Sequence, residues 1–150
     1  MTPNLLFSIM NDVSLVAWMA LAVLPRKRWV AGGLAMFVVP AFFAVAYIAI
    51  VVSQFGRSEG GFSSLSGVAA LFSNPWLLLA GWIHYLAFDL FVGSWEVRDA
   101  RARGIPHLAV VPCLALTLMF GPAGWLLYNG VRLVYNKKEG EPFRRAATLG

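Results

Sequence analysis

The stretch Trp82-Ile83-His84-Tyr85-Leu86-Ala87-Phe88-Asp89-Leu90-Phe91-Val92-Gly93-Ser94-Trp95 decides the kind of fold to expect. It is apolar enough to lie in a bilayer, yet it carries a histidine and a carboxylate. An Asp at the centre of a membrane helix costs about 2.5–3.5 kcal/mol on insertion scales. His84 and Asp89 therefore have a task, either holding helices together or doing chemistry.

Composition places this stretch in an integral membrane protein. Of 150 residues, 59% are hydrophobic and 13% charged, against about 25% charged in soluble domains. The net charge is +5, but the cations sit at the ends of apolar runs. That placement suits lipid headgroups and topology control, not nucleic acid. Cys113 is the single cysteine. It cannot form an internal disulfide and reads as a small packing residue. The N-terminal run lacks a basic start and is interrupted by Asn11 and Asp12, so it reads as a retained span.

Four apolar segments follow in order, about 5–24, 29–52, 75–95 and 106–135. About 20 residues cross the hydrocarbon. The expected fold is all-α: a four-transmembrane-helix bundle in one membrane domain over residues 1–135, with a basic, mobile tail over 136–150. Pro25-Arg26-Lys27-Arg28 makes a hairpin, with Trp18 and Trp29 in the headgroup belt. Pro40 is expected to kink the second span. Between spans two and three, Leu65–Phe72 forms a short interfacial helix, and Asn74-Pro75 starts the third span. Glu96 to Gly104 reads as a solvated loop. Gly121-Pro122 kinks or breaks the fourth segment.

Charge counting leaves the fourth segment open. Four full spans put six Lys or Arg on each side of the membrane. A fourth segment that doubles back at Gly121-Pro122 puts eleven on one side and one on the other, but each half is then short. Four spans are taken here, with a re-entrant fourth segment as the alternative and an outside N-terminus in both cases.

Depth and angle place the polar residues. Asp12, Pro40, His84 and Thr117 fall near mid-bilayer, with Asp89 shallower. His84 and Asp89 are five residues apart and project about 140° away from each other. Asp89 shares a stripe with Trp82, Tyr85 and Glu96, and His84 shares one with Phe88, Phe91 and Trp95. The candidate catalytic residues are His84, Asp89 and Asp12, with Asp12 or Thr117 as the partner of His84. The candidate ligand-lining residues are Trp82, Tyr85, Phe88, Phe91 and Thr117. His107 is expected to be exposed. No metal site is expected, because two distant histidines do not make one. No HExxH, CxxC, Walker or GxSxG motif occurs.

Ser66-Gly67-Val68-Ala69 with Leu71-Phe72, Trp82-Ile83-His84, Asp89-Leu90-Phe91, Pro112-Cys113-Leu114, and Gly121-Pro122 with Gly124 resemble the family of the plant abscisic-acid-deficient-four protein. That family is associated with neoxanthin formation from violaxanthin. The resemblance implies a small membrane protein that acts on or binds a carotenoid or related isoprenoid. Epoxide opening by an acid and a base needs no redox cofactor, and none is expected. Within this reading Asp89 is the acid and His84 the base. The other reading is a non-catalytic pigment-binding or accessory subunit of a membrane complex, photosynthetic for example. A transporter is less attractive, since no internal repeat is visible. Expected partners are membrane lipids, an isoprenoid ligand, and a membrane complex or second copy. The expected location is a bacterial inner membrane, cytoplasmic or photosynthetic.

Overall fold

The computed structural model describes residues 2–147 apart from 55 and 58, with side-chain surroundings given up to residue 135. The chain folds into helices throughout, and no strand occurs among the described residues. Helix α1 is Pro3–Val23, and α2 runs over Val30–Gln54. A short α3 covers Leu65–Phe72, and α4 covers Pro75–Ala102. Then come α5, His107–Phe120, and α6, Pro122–Ala147. By length and composition α1, α2 and α4 are each able to cross a membrane. The expected all-α membrane fold is what the chain adopts.

Local chemistry sets the starts of the helices. Thr2 caps α1 by accepting from the Leu5 amide at 3.3 Å, with Pro3 in the first turn. Asn74 caps α4 by accepting from the Trp76 amide at 2.9 Å, with Pro75 following. Both arrangements satisfy amides that the first helical turn leaves open. Ser64 does the same for α3, accepting from Gly67 at 3.0 Å. The short helix expected between the second and third spans is therefore present, over Leu65–Phe72.

Pro40 does not break α2. Instead the helix opens as a π-helix over Val30–Val38 and becomes α-helical from Val39. Proline lacks an amide hydrogen and crowds the carbonyl four residues earlier. Wider turns before Pro40 relieve that crowding, so the helix continues through the proline.

Helix α4 is the axis of the molecule, touching every other helix. It runs for 28 residues, about 42 Å. This corrects the expected end at Trp95 and the expected loop from Glu96. Val97 and Ala100 are buried, and Asp99 pairs with Arg103 one turn on. An apolar face and an i,i+4 ion pair sustain the helix through a charged stretch. Trp18, expected in the headgroup belt, is buried in the packing between α1 and α4, against Gly93. A Cβ on Gly93 would lie 2.5 Å from the Trp18 ring.

The fourth apolar segment is not one span. It breaks at Gly121, as expected, but α5 and α6 then pack side by side. Gly121 takes φ +39, and Pro122 opens α6. A side chain on Gly124 would run into the backbone of Thr117, so the two helices meet almost without a gap. Tyr128 on α6 reaches back to Asp99 near the end of α4. The segment is a helical hairpin whose 14-residue first arm reaches about 21 Å, short of the roughly 30 Å hydrocarbon, which favours the re-entrant alternative. The expected mobility of the tail 136–150 concerns side chains and a last three residues that lie outside the described set.

Candidate functional site

The α5–α6 hairpin docks on one stripe of α4, and that stripe is polar. Tyr85, Asp89, Glu96 and Asp99 fall within about 80° of each other around the helix. Each meets the hairpin. The Tyr85 hydroxyl donates to the Leu118 carbonyl at 2.9 Å. The Asp89 carboxyl sits against the turn, where a Cβ on Gly121 would lie 2.7 Å from Oδ1. Glu96 Oε1 accepts from the Thr117 hydroxyl at 2.9 Å. Asp99 Oδ2 accepts from the Tyr128 hydroxyl at 2.8 Å.

The lower end of the stripe is fully partnered. Asp99 also pairs with Arg103 at 2.9 Å and faces Arg132 at 3.4 Å. Tyr128 packs edge-on against Trp95, with the Arg132 guanidinium over the same indole. This assembly is a latch that ties α6 to the end of α4.

The upper end differs. Asp89 Oδ2 and Glu96 Oε2 are buried and have no hydrogen-bond partner among the described residues. Glu96 is wholly inaccessible, whereas Asp89 is only half-buried at the hairpin tip. The Tyr85 hydroxyl lies beside Asp89 but gives its hydrogen to Leu118. A buried polar atom without a partner carries a penalty of about 1–3 kcal/mol. The Asp89 end of the stripe therefore keeps hydrogen-bonding capacity that the described residues do not use.

An aromatic ledge leads to that point. The ring of Phe7 lies 5.7 Å from Trp82, and Trp82 lies 5.3 Å from Tyr85. Asn11 accepts from the Trp82 indole at 3.1 Å and holds it in place. Trp82 is 40% exposed, so the ledge faces the lipid. The ledge is an exposed aromatic surface that ends beside a carboxyl.

The structure does not assemble the expected catalytic trio. His84 lies on the other side of α4, stacked at 4.6 Å on Phe88 and 5.8 Å from Tyr47. Phe88 and Phe91 are exposed with it, away from the ledge. Asp12 sits in an outer groove with Val16, Leu34 and Val39. Thr117 partners Glu96, not His84. The angle that separates His84 from Asp89 is thus realised, and Trp82 and Tyr85 stay with Asp89. His107, expected to be exposed, is half-buried with Nε2 2.8 Å from the Ala22 carbonyl. Among the described residues, no three His, Cys, Asp or Glu side chains converge as metal ligands.

Glu96 is the residue that sequence reasoning misplaced, because it begins a charged run. Its seven-residue spacing from Asp89 put both on one stripe; what the spacing did not show is that the helix and its buried face continue past Trp95.

The family model described as ABA DEFICIENT 4-like matches residues 5–128. The chain belongs to the ABA DEFICIENT 4-like family. Membership points to a carotenoid-related membrane protein. The matched segment runs from α1 to Tyr128. It therefore holds the ledge, the whole polar stripe and every hairpin group that meets it except Arg132. No curated protein and no solved structure matches the chain.

Proposed function

We propose that this protein binds an isoprenoid of the carotenoid class along the Phe7–Trp82–Tyr85 ledge and rearranges its polar end group by proton transfer at Asp89. The observation that carries the reading is the half-buried Asp89 carboxyl at the hairpin tip, with one oxygen unpartnered and an exposed aromatic ledge beside it. Family membership supports the choice of substrate class.

The chemistry is an isomerisation. The Asp89 O–H protonates an epoxide oxygen, the carbon–oxygen bond breaks, and the second carboxyl oxygen takes the adjacent vinylic proton. The product is an allenic alcohol, Asp89 recovers its proton, and no electrons are exchanged. One carboxyl serves as both acid and base, so His84, on the far face, is not needed as the base. Tyr85 positions the end group, and the bilayer and hairpin keep water away.

The test is pigment conversion. Purified protein in mild detergent is given an epoxy-carotenoid, and the products are separated by chromatography. Asp89→Asn should lower turnover by about 10²–10⁴-fold, the usual contribution of a positioned acid or base. His84→Ala should change it little. Full turnover in folded Asp89→Asn would sink the catalytic reading. Copurifying pigment with no turnover in the wild type would make this a pigment-binding protein instead.

A further inference from the structure

The turn after α1 at Pro25-Arg26, the end of α4 with Ile105 beyond it, and the start of α5 line a cavity of about 240 Å³. It lies at the cationic end of the molecule, away from Asp89. Arg26, Arg101 and His107 line it on the polar side. Val97, Ala100 and Ile105 form a buried apolar floor. At about 30 Å³ per water, the space holds a tetrahedral anion with a small organic substituent.

The lining chemistry favours an anion. Arg26 and Arg101 have no carboxylate partner among the described residues. Asp99, the acid on the same part of α4, is already taken by Arg103, Arg132 and Tyr128. The ring of His107 is fixed by the 2.8 Å contact of Nε2 with the Ala22 carbonyl and forms one wall of the cavity, so the two arginines are the charged donors. The first turn of α5 has no side-chain cap, so its amides add donors and positive dipole at the same place.

We propose that this cavity binds a phosphate ester, and that its occupant is the headgroup of an anionic phospholipid. Two planar guanidinium groups suit phosphate oxygens as they suit carboxylate, and at a membrane surface the abundant anion is a lipid phosphate. The apolar floor suits the glycerol end of a lipid. The cavity also lies at the end of the spans that bears the cationic loops, which is the side facing the anionic leaflet. This site is independent of any reaction at Asp89.

Native mass spectrometry of the full chain, released from mild detergent with added phosphatidylglycerol or phosphatidylcholine, tests the assignment. Phosphatidylglycerol adducts should dominate and should survive millimolar inorganic phosphate. They should fall roughly tenfold in Arg26→Ala/Arg101→Ala, as expected for the loss of one or two charge-assisted contacts. Arg57→Ala, at the other end of the spans, should leave them unchanged. Arg26→Lys/Arg101→Lys keeps the charge without the fork and should fall between the two; it carries the test if the alanine pair fails to fold. Displacement by inorganic phosphate or diphosphate would overturn the lipid and assign the site to a soluble phosphate ester. Equal adducts in the folded alanine pair, or equal phosphatidylcholine binding, would overturn the site altogether.

Discussion

Glu96 has no exposed surface and one carboxyl oxygen without a partner. Its single described hydrogen bond comes from Thr117. Thr117→Val keeps the shape of the side chain but removes that donor. It should destabilise the protein by about 1–3 kcal/mol, read as a lower melting temperature in detergent. Glycines make a sharper contrast. Gly93→Ala must displace the Trp18 ring and should cost about 1–3 kcal/mol, whereas Gly32→Ala meets nothing and should be close to neutral. A melting comparison of the two variants in the same detergent checks the packing of α1 on α4. At this scale the polar stripe was partly legible. Asp89, Tyr85, Trp82 and Glu96 share one helical face by spacing alone. Which groups meet that face depends on a hairpin distant in sequence.

At the scale of elements, the α5–α6 hairpin organises the site. Its turn depends on Gly121, held at positive φ, and its arms depend on the near-contact at Gly124. Gly124→Leu should prevent the arms from closing, because a Cβ there would occupy the backbone of Thr117. Tyr85, Asp89 and Glu96 would then lose their cover together. The expected readout is faster proteolysis within residues 105–135, along with loss of any Asp89-dependent turnover. Wild-type protection in Gly124→Leu would mean that the arms tolerate separation. The break at Gly121-Pro122 was readable from residue types, since glycine and proline interrupt an apolar helix. Whether the chain bends slightly or reverses there was not readable, because composition is the same in both cases.

For the whole molecule, the hairpin decides the topology. Three crossings and a re-entrant segment put the termini on opposite sides, whereas four crossings would put them on the same side. All Lys and Arg except Arg57 then fall on the side of the Arg26–Arg28 loop. By the positive-inside tendency that side is expected to be cytoplasmic, with the N-terminus outside. Cysteines introduced at Asn4 and Ala147 of a Cys113→Ser protein should label from opposite faces of sealed vesicles. Labelling from one face would restore the four-span arrangement.

The Trp82–Trp95 stretch by itself determined that this is a helical membrane protein with ionisable groups kept at depth. Hydropathy and helical geometry are local properties, and they hold whatever surrounds the helix. They also separated His84 from Asp89, because an angle of about 140° needs no neighbours to be known. Only the tertiary structure decided that α4 continues to Ala102, that Glu96 lies inside, and that the fourth segment folds back over the stripe. Those outcomes depend on which surfaces close over which, and a buried charge and a solvated one have the same letter in a sequence.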